Sequence, residues 1–247
     1  MHYLDAAIEA ARAAGDLLRA NFRHPLRINA VEAHDLKLEI DVLAQKLITD
    51  LLLKKFPHHA LYGEEGIVGD QTTEYQWVVD PLDGTVNYFY GIPHFCVSIA
   101  LRFQLEIIVG VIFDPIRGEI WTGQKGDTPK LNGIPFRVSE RADLAEAVLS
   151  VGLSKTDATI EAGLPLLQEM IYRVRKCRLL GSAALDMAYV ACGRLDAYIE
   201  QGISLWDIAA GWILVETAGG KVEMRPREDM KDKYSVVASN GVIDLKL

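Results

Sequence analysis

Trp77-Val78-Val79-Asp80-Pro81-Leu82-Asp83-Gly84-Thr85 is the stretch on which the reading of this chain turns. The short apolar run from Gln76 to Val79 has the composition of a buried strand. It leads straight into two carboxylates three residues apart, interrupted by Pro81. Two acids at a strand end can converge on one cation, and hard divalent cations such as magnesium take oxygen ligands, backbone carbonyls included. Gly84 and Thr85 then offer backbone N–H groups beside that cation, a cradle for a phosphate. Read in isolation, the same residues also describe an Asp-rich turn in which Asp80 and Asp83 act only as caps.

Upstream, Leu4, Ile8, Ala11, Leu17 and Leu18 recur at helical spacing, and Pro25 closes that segment. A second helix is expected from about Asp41 to Lys55, its apolar side formed by Leu43, Leu47, Leu51 and Leu52. Between them, 28–34 reads as a weakly patterned loop, and a polar stretch follows Gly66. Downstream, Phe95 to Phe103 and Ile107 to Phe113 read as paired strands, with Asp114-Pro115 and Gly118 as turn chemistry before Glu119 to Thr122. From Val148 onward strands and helices alternate: Val148 to Val151, Ile160 to Tyr172, Cys177 to Leu180, Ala183 to Cys192, Ala197 to Ile199, Trp206 to Thr217 and Ser235 to Ala238. That alternation indicates an α/β architecture. The expectation is one compact unit, 1–247, with a subdivision near Ala142.

Composition narrows the function. A chain of 247 residues, half of them hydrophobic, can bury a large core without staples. The net charge of −8 argues against non-specific nucleic-acid binding, which needs clustered Lys and Arg. An enzyme of anionic substrates built this way must gather positive charge, and bound metal ions can supply it. Cys96, Cys177 and Cys192 are far apart and odd in number, which fits reduced, packed thiols. Asp5 and Glu9 interrupt the first helix, so it does not read as a secretion signal, and no apolar run is long enough to span a membrane. A cytoplasmic location is expected.

Further acids are candidates with ordinary alternatives. Glu64-Glu65, between two glycines, reads as a ligand pair or as a solvated turn. Asp207 in Trp206-Asp207-Ile208-Ala209-Ala210-Gly211, and Asp41, read as functional acids or as helix caps. His58, His59 and His94 fit solvated or hydrogen-bonded histidines better than acid–base groups. Arg173, Arg175, Lys176 and Arg178 suggest a solvated face or the edge of a subunit contact.

Taken in order, Glu-Glu, Asp-Pro-Leu-Asp-Gly-Thr and Trp-Asp-Ile-Ala-Ala-Gly resemble the inositol monophosphatase family of lithium-sensitive, magnesium-dependent phosphatases. The resemblance runs from about Asp35 to Ala238 and includes Gly181-Ser182-Ala183-Ala184 and the Asp196-Ala197-Tyr198 strand leading to Glu200. It implies a layered α-β-α-β-α sandwich, with a metal- and phosphate-binding half, 1–142, and a substrate-facing half, 143–247. It assigns Glu64, Asp80 and the carbonyl of Leu82 to one magnesium ion and Asp80, Asp83 and Asp207 to a second, with Glu64 helping to hold a third. Thr85, paired with Asp41, would orient the attacking water, and the backbone at Gly84 and Thr85 would bind phosphate. Asp83, Ser182, Ala183, Glu200 and Ser154 would face the substrate's hydroxyl-bearing ring. The implied reaction is hydrolysis of a small phosphate monoester, inositol monophosphate first, with histidinol phosphate and fructose 1,6-bisphosphate as competitors. A homodimer is implied as well. A regulatory binding protein with secondary catalysis is the rival reading.

The chain departs from the family pattern at three places. Ala30 stands where a Lys is usual, Leu38 replaces the Thr of the segment Asp35 to Asp41, and Val86 replaces the second Thr after Gly84.

Overall fold

The computed structural model describes residues 2–31, 36–153 and 156–246. Helix α1 (Tyr3–Asn21) buries a stripe of alanines, Ala6, Ala7, Ala10, Ala11 and Ala14, closed by Leu18. Small side chains let this helix sit close to its neighbours. It packs on α2 (Glu39–Lys55), which buries Ile40, Ala44, Ile48 and Leu52. Together they cover one face of an eight-stranded sheet made of β3 (Ala60–Gly63), β4 (Gly66–Val68), β5 (Tyr75–Asp83), β6 (Cys96–Phe103), β7 (Glu106–Asp114), β8 (Glu119–Gln124), β9 (Lys130–Leu131) and β10 (Ile134–Pro135). Its order is β10-β9-β8-β7-β6-β5-β3-β4, antiparallel except for the β3–β5 pair. Strands β1 (Ile28–Val31) and β2 (Leu36–Leu38) form a separate antiparallel pair before α2.

The second sheet holds β11 (Val148–Gly152), β12 (Lys176–Arg178), β13 (Ala197–Ile203), β14 (Lys221–Pro226) and β15 (Tyr234–Ser239), in the order β12-β11-β13-β15-β14. Helices α5 (Ala183–Ala191) and α6 (Leu205–Thr217) lie between the two sheets, and α4 (Asp157–Arg173) covers the far face of the second. The layers are therefore α-β-α-β-α, as the resemblance implies. This explains why α5 and α6 are apolar nearly all round: each has a sheet on both sides. Three apolar clusters fill the spaces between successive layers, the central one joining Trp121, Met187, Tyr198 and Leu214. At Gly110 of β7 the sheet and α6 touch through backbone, since a Cβ there would stand 2.6 Å from the Ala210 carbonyl oxygen.

Four sequence expectations need correction. Residues 28–31 form a strand rather than a loop, because pairing with β2 supplies the hydrogen bonds that its weak pattern does not advertise. Strand β5 does not stop at Val79 but continues to Asp83, with its register against β6 shifting between Asp80 and Asp83. Pro81 has no N–H to give to a ladder, so the strand passes it as an irregularity. The stretch after Glu65 contains β4, and β14 has no counterpart in the sequence reading. Both are edge strands of mostly exposed or half-buried residues, so burial left them no clear period. Among the described residues no helix is long and apolar enough to cross a membrane.

Candidate metal centre

The C-terminal end of β5 delivers Asp80, Leu82 and Asp83 to one cleft, and the first turn of α6 delivers Asp207. All three aspartates are buried, and one carboxylate oxygen from each lies within 4.8 Å of the others. Three acids this close in a buried setting repel one another, and a divalent cation is what relieves that repulsion. Hard oxygen donors in a compact group fit magnesium and fit soft metals poorly. The donor set therefore suits the group that the resemblance implies. Glu64 lines the same cleft but stands outside the tight group of three.

Each acid is oriented by its own support. Asp80 Oδ1 accepts the Leu82 N–H at 3.0 Å, and Asp207 Oδ2 accepts the Ser204 N–H at 2.9 Å as the cap of α6. Asp83 is gripped by the N-terminus of α5: the Ser182 hydroxyl and the Ala184 N–H (2.9 Å) donate to Oδ2, and the Ala183 N–H (3.3 Å) donates to Oδ1. A carboxylate is favoured there because the first N–H groups of a helix have no partners within it. Ser182 and Ala183 thus serve Asp83 directly while also lining the cleft. Cys96 lies against the same oxygen, Sγ to Oδ2 3.7 Å. Burial and the neighbouring Asp83 push this thiol up, so it stays protonated.

Gly84 follows at φ +91, ahead of the short helix α3 (Thr85–Phe89). That backbone angle disfavours any side chain, and a Cβ would also stand 3.0 Å from the His94 carbonyl oxygen. The Thr85 hydroxyl donates to the Leu82 carbonyl at 2.9 Å. Asn87 ties α3 to the segment before β6 through the His94 carbonyl and to the segment before α5 through the Leu180 carbonyl, both at 2.9 Å. Asp41 is buried, accepts the Leu38 N–H at 2.7 Å as a cap of α2, and is not among the residues lining the cleft. Ser154 and Asp35 lie outside the described residues.

Several contributors were missed. Gln45 of α2 accepts the Glu65 N–H (2.9 Å) and donates to the Gly66 carbonyl (3.0 Å), which sets the turn that presents Glu64. Asp186 lines the cleft one turn inside α5, where an acid on an apolar helix is a signal that could have been read. Its Oδ2 accepts the Ser150 hydroxyl at 2.7 Å, and its Oδ1 has no hydrogen-bond partner among the described residues. Burial pushes the Asp186 carboxyl well above the usual range, with Asp83 and Glu200 adding to it. Glu200, buried on β13, accepts the Tyr198 hydroxyl. Lys231 and Lys233 also line the cleft.

The histidines lie elsewhere. His59 is stacked between Phe56 and Tyr75 at ring distances of 4.9 and 4.8 Å. His94 is buried beside Tyr189, with Nε2 lacking a hydrogen-bond partner among the described residues. Burial, reinforced by the Arg117 charge and opposed by Asp114, pulls it down to about 4 from 6.5. The unfolded chain therefore binds the extra proton between those values. Stability from this group is full above about pH 6.5 and falls by about 3 kcal/mol as pH drops to 4. Urea midpoints at pH 7.5 and 5 should separate more for the wild type than for His94→Phe; equal separations would refute the assignment.

Comparison with known proteins agrees with this geometry. Residues 1–246 match the model of the inositol monophosphatase family. "Nus factor SuhB" of Pseudomonas aeruginosa is 39% identical over 246 residues, covering 96% of this chain and 91% of that protein. "Inositol monophosphatase 3" of Solanum lycopersicum is 37% identical, covering 89% of this chain and 85% of that protein. Among solved structures, the extragenic suppressor protein suhB of Bartonella henselae superposes with a TM-score of 0.89 at 32% identity, covering 96% of this chain and 94% of its own. An inositol monophosphatase from Anabaena superposes at 0.85 with 36% identity, covering 97% and 91%. With its metal-suited acids converging in one cleft between the layers, this chain belongs to the inositol monophosphatase family.

Proposed function

We propose that this protein is a magnesium-dependent phosphatase acting on a small phosphorylated metabolite, inositol monophosphate first. The observation that carries the reading is the group of three buried carboxylates, Asp80, Asp83 and Asp207, in one cleft. Together with Glu64 and the Leu82 carbonyl they would hold two or three magnesium ions. Bound there, the ions supply an acidified water and positive charge for the phosphoryl oxygens and the leaving alkoxide.

The chain's own groups do the rest. Gly84 and Thr85 present backbone N–H groups to the phosphate. The Thr85 hydroxyl hydrogen is engaged by Leu82, so its oxygen faces the cleft as an acceptor for the attacking water. For Asp41 to act on that water through Thr85, the hydroxyl hydrogen would turn from the Leu82 carbonyl, which the metal takes, to the Asp41 carboxylate. Asp83, Ser182 and Ala183 meet the substrate ring, with Ser154 beyond the described residues. Glu200 accepts hydrogen bonds from ring hydroxyls, which suits a polyol. Histidinol phosphate and fructose 1,6-bisphosphate are the competing substrates. We further propose that 1–247 works as one unit and assembles as a homodimer, for which the exposed apolar side chains Leu164, Ile171 and Tyr172 of α4 offer a surface.

The test is phosphate release from inositol 1-phosphate, histidinol phosphate, fructose 1,6-bisphosphate and 3′-phosphoadenosine 5′-phosphate, each with magnesium and with chelator. Magnesium-dependent release is expected, fastest for inositol 1-phosphate. Release from no compound would reject the reading. In that case a second one leads, favoured by relatives that carry the name Nus factor: a regulatory binding protein, on the transcription machinery, with residual catalysis.

A further inference from the structure

One wall of the cleft is the turn between β14 and β15, residues 227–233. Its backbone closes on itself, Arg227 N–H to the Lys233 carbonyl at 2.8 Å and Met230 N–H to the Arg227 carbonyl at 3.4 Å. The Met230 sulfur lies 3.6 Å from where a Cβ on Gly202 of β13 would stand, so the turn packs on the second sheet.

Three charged residues of this turn line the cleft: Asp229, Lys231 and Lys233. Asp229 is neutralised by Arg227 through a two-pronged pair, Nε to Oδ1 2.8 Å and Nη2 to Oδ2 2.6 Å. Lys231 is exposed and makes no ion pair among the described residues. Lys233 is half-buried, and its Nζ donates one bond, 2.7 Å, to Ser204 Oγ. Two of its three ammonium hydrogens are left for a ligand. Ser204 is also the residue whose N–H holds Asp207, so the ammonium is tied to the residue that caps α6. The turn also carries Glu228 and Asp232, but neither lines the cleft, and among the described residues neither lysine is ion-paired, so the wall turns two ammonium groups to the cleft beside the paired Asp229.

These lysines are not needed at the scissile phosphate, where the metal ligands and the Gly84–Thr85 backbone already stand. The cleft, about 790 Å³, falls within the range that holds ligands of drug size and has room beyond a single ring and phosphate. We propose that Lys231 and Lys233 form a subsite for a second phosphate on the substrate, so that the cleft prefers a bisphosphorylated sugar or polyol to the matching monophosphate. An ammonium pair of this kind recognises a phosphate as point charges rather than by a rigid fork, which tolerates phosphates at different ring positions. The subsite deepens the phosphatase reading and rests on it for its effect on turnover.

The test compares fructose 1-phosphate with fructose 1,6-bisphosphate, which share the C1 phosphate and differ in the second. Wild-type kcat/KM with magnesium should favour the bisphosphate by about tenfold. In Lys231→Met/Lys233→Met that ratio should collapse, the loss falling mainly on KM for the bisphosphate. Lys231→Met alone, which disturbs no hydrogen bond, should lower the ratio by about threefold, and Lys233→Arg should keep most of it. Raising the salt should shrink the wild-type ratio, since the contact is at the rim. Equal kcat/KM for the two esters in the wild type, or an equal loss on both in the variants, would overturn the subsite while leaving the phosphatase reading intact. Should the wild type hydrolyse neither ester, the phosphatase reading fails, and calorimetric titration with both esters in magnesium decides the subsite. Tighter bisphosphate binding that the double variant abolishes supports it, and equal or absent binding overturns it.

Discussion

Asp83→Asn should lower kcat/KM for the best phosphate ester by roughly 10³-fold while leaving the protein folded. Asp83 sits where the two halves of the site meet, its oxygens taking the Ser182 hydroxyl and the Ala183 and Ala184 N–H groups, with the Cys96 thiol alongside. Every one of these partners is a donor. An asparagine can keep the Oδ2 partners with its carbonyl oxygen, but its NH₂ then replaces Oδ1, opposing the Ala183 N–H and placing a donor beside the metal group. That substitution removes a negative charge from the cation position and points a donor at it. Magnesium should then be required at much higher concentration, and Mn²⁺ binding followed by electron paramagnetic resonance should weaken in parallel. A loss of less than tenfold, with metal affinity unchanged, would remove Asp83 from the ligand set.

Gly110→Val should destabilise the protein by about 3 kcal/mol, at the upper end of the cost of overpacking a close-packed core. A Cβ at this position would stand 2.4 Å from Ile213 Cγ2, 2.6 Å from the Ala210 carbonyl oxygen and 3.1 Å from Ala210 Cα. A side chain can rotate away from such a clash, but helix backbone cannot, so α6 must translate off the sheet. Because α6 carries Asp207 in its first turn, the displacement should also reach the metal group. Urea denaturation would measure the first effect, with Gly110→Ala intermediate. The magnesium dependence of activity, taken on folded protein, would measure the second. A variant as stable as the wild type would mean that the contact relaxes without moving α6.

Much of the architecture was legible because it is written in short-range chemistry. The period of α1, the β-branched runs of β6 and β7 and the strand–helix alternation after Val148 each follow from burial on one or two faces. What escaped the reading are elements whose reason lies elsewhere in the chain. Strand β14 is mostly exposed or half-buried and becomes a strand only because β15 lends it hydrogen bonds. Gln45 has no local feature that marks it, and its task appears only when Gly66 and Glu65 are brought to it from twenty residues away.

For the site the division is the same. By itself, the order of Glu64, the Asp80–Thr85 segment and Asp207 carried the resemblance to the family, and the preference of hard cations for carboxylates gave the chemistry of the donors. The grouping of Asp207 with Asp80 and Asp83 came from the resemblance, but only the tertiary structure put one oxygen of each within 4.8 Å and decided that α5 grips Asp83 and that Asp186, Lys231 and Lys233 share the cleft. The reason is physical: a motif fixes which groups a segment carries, whereas the distance between groups a hundred residues apart is set by how α6 and α5 pack between two sheets, and charge at a cleft depends on that distance.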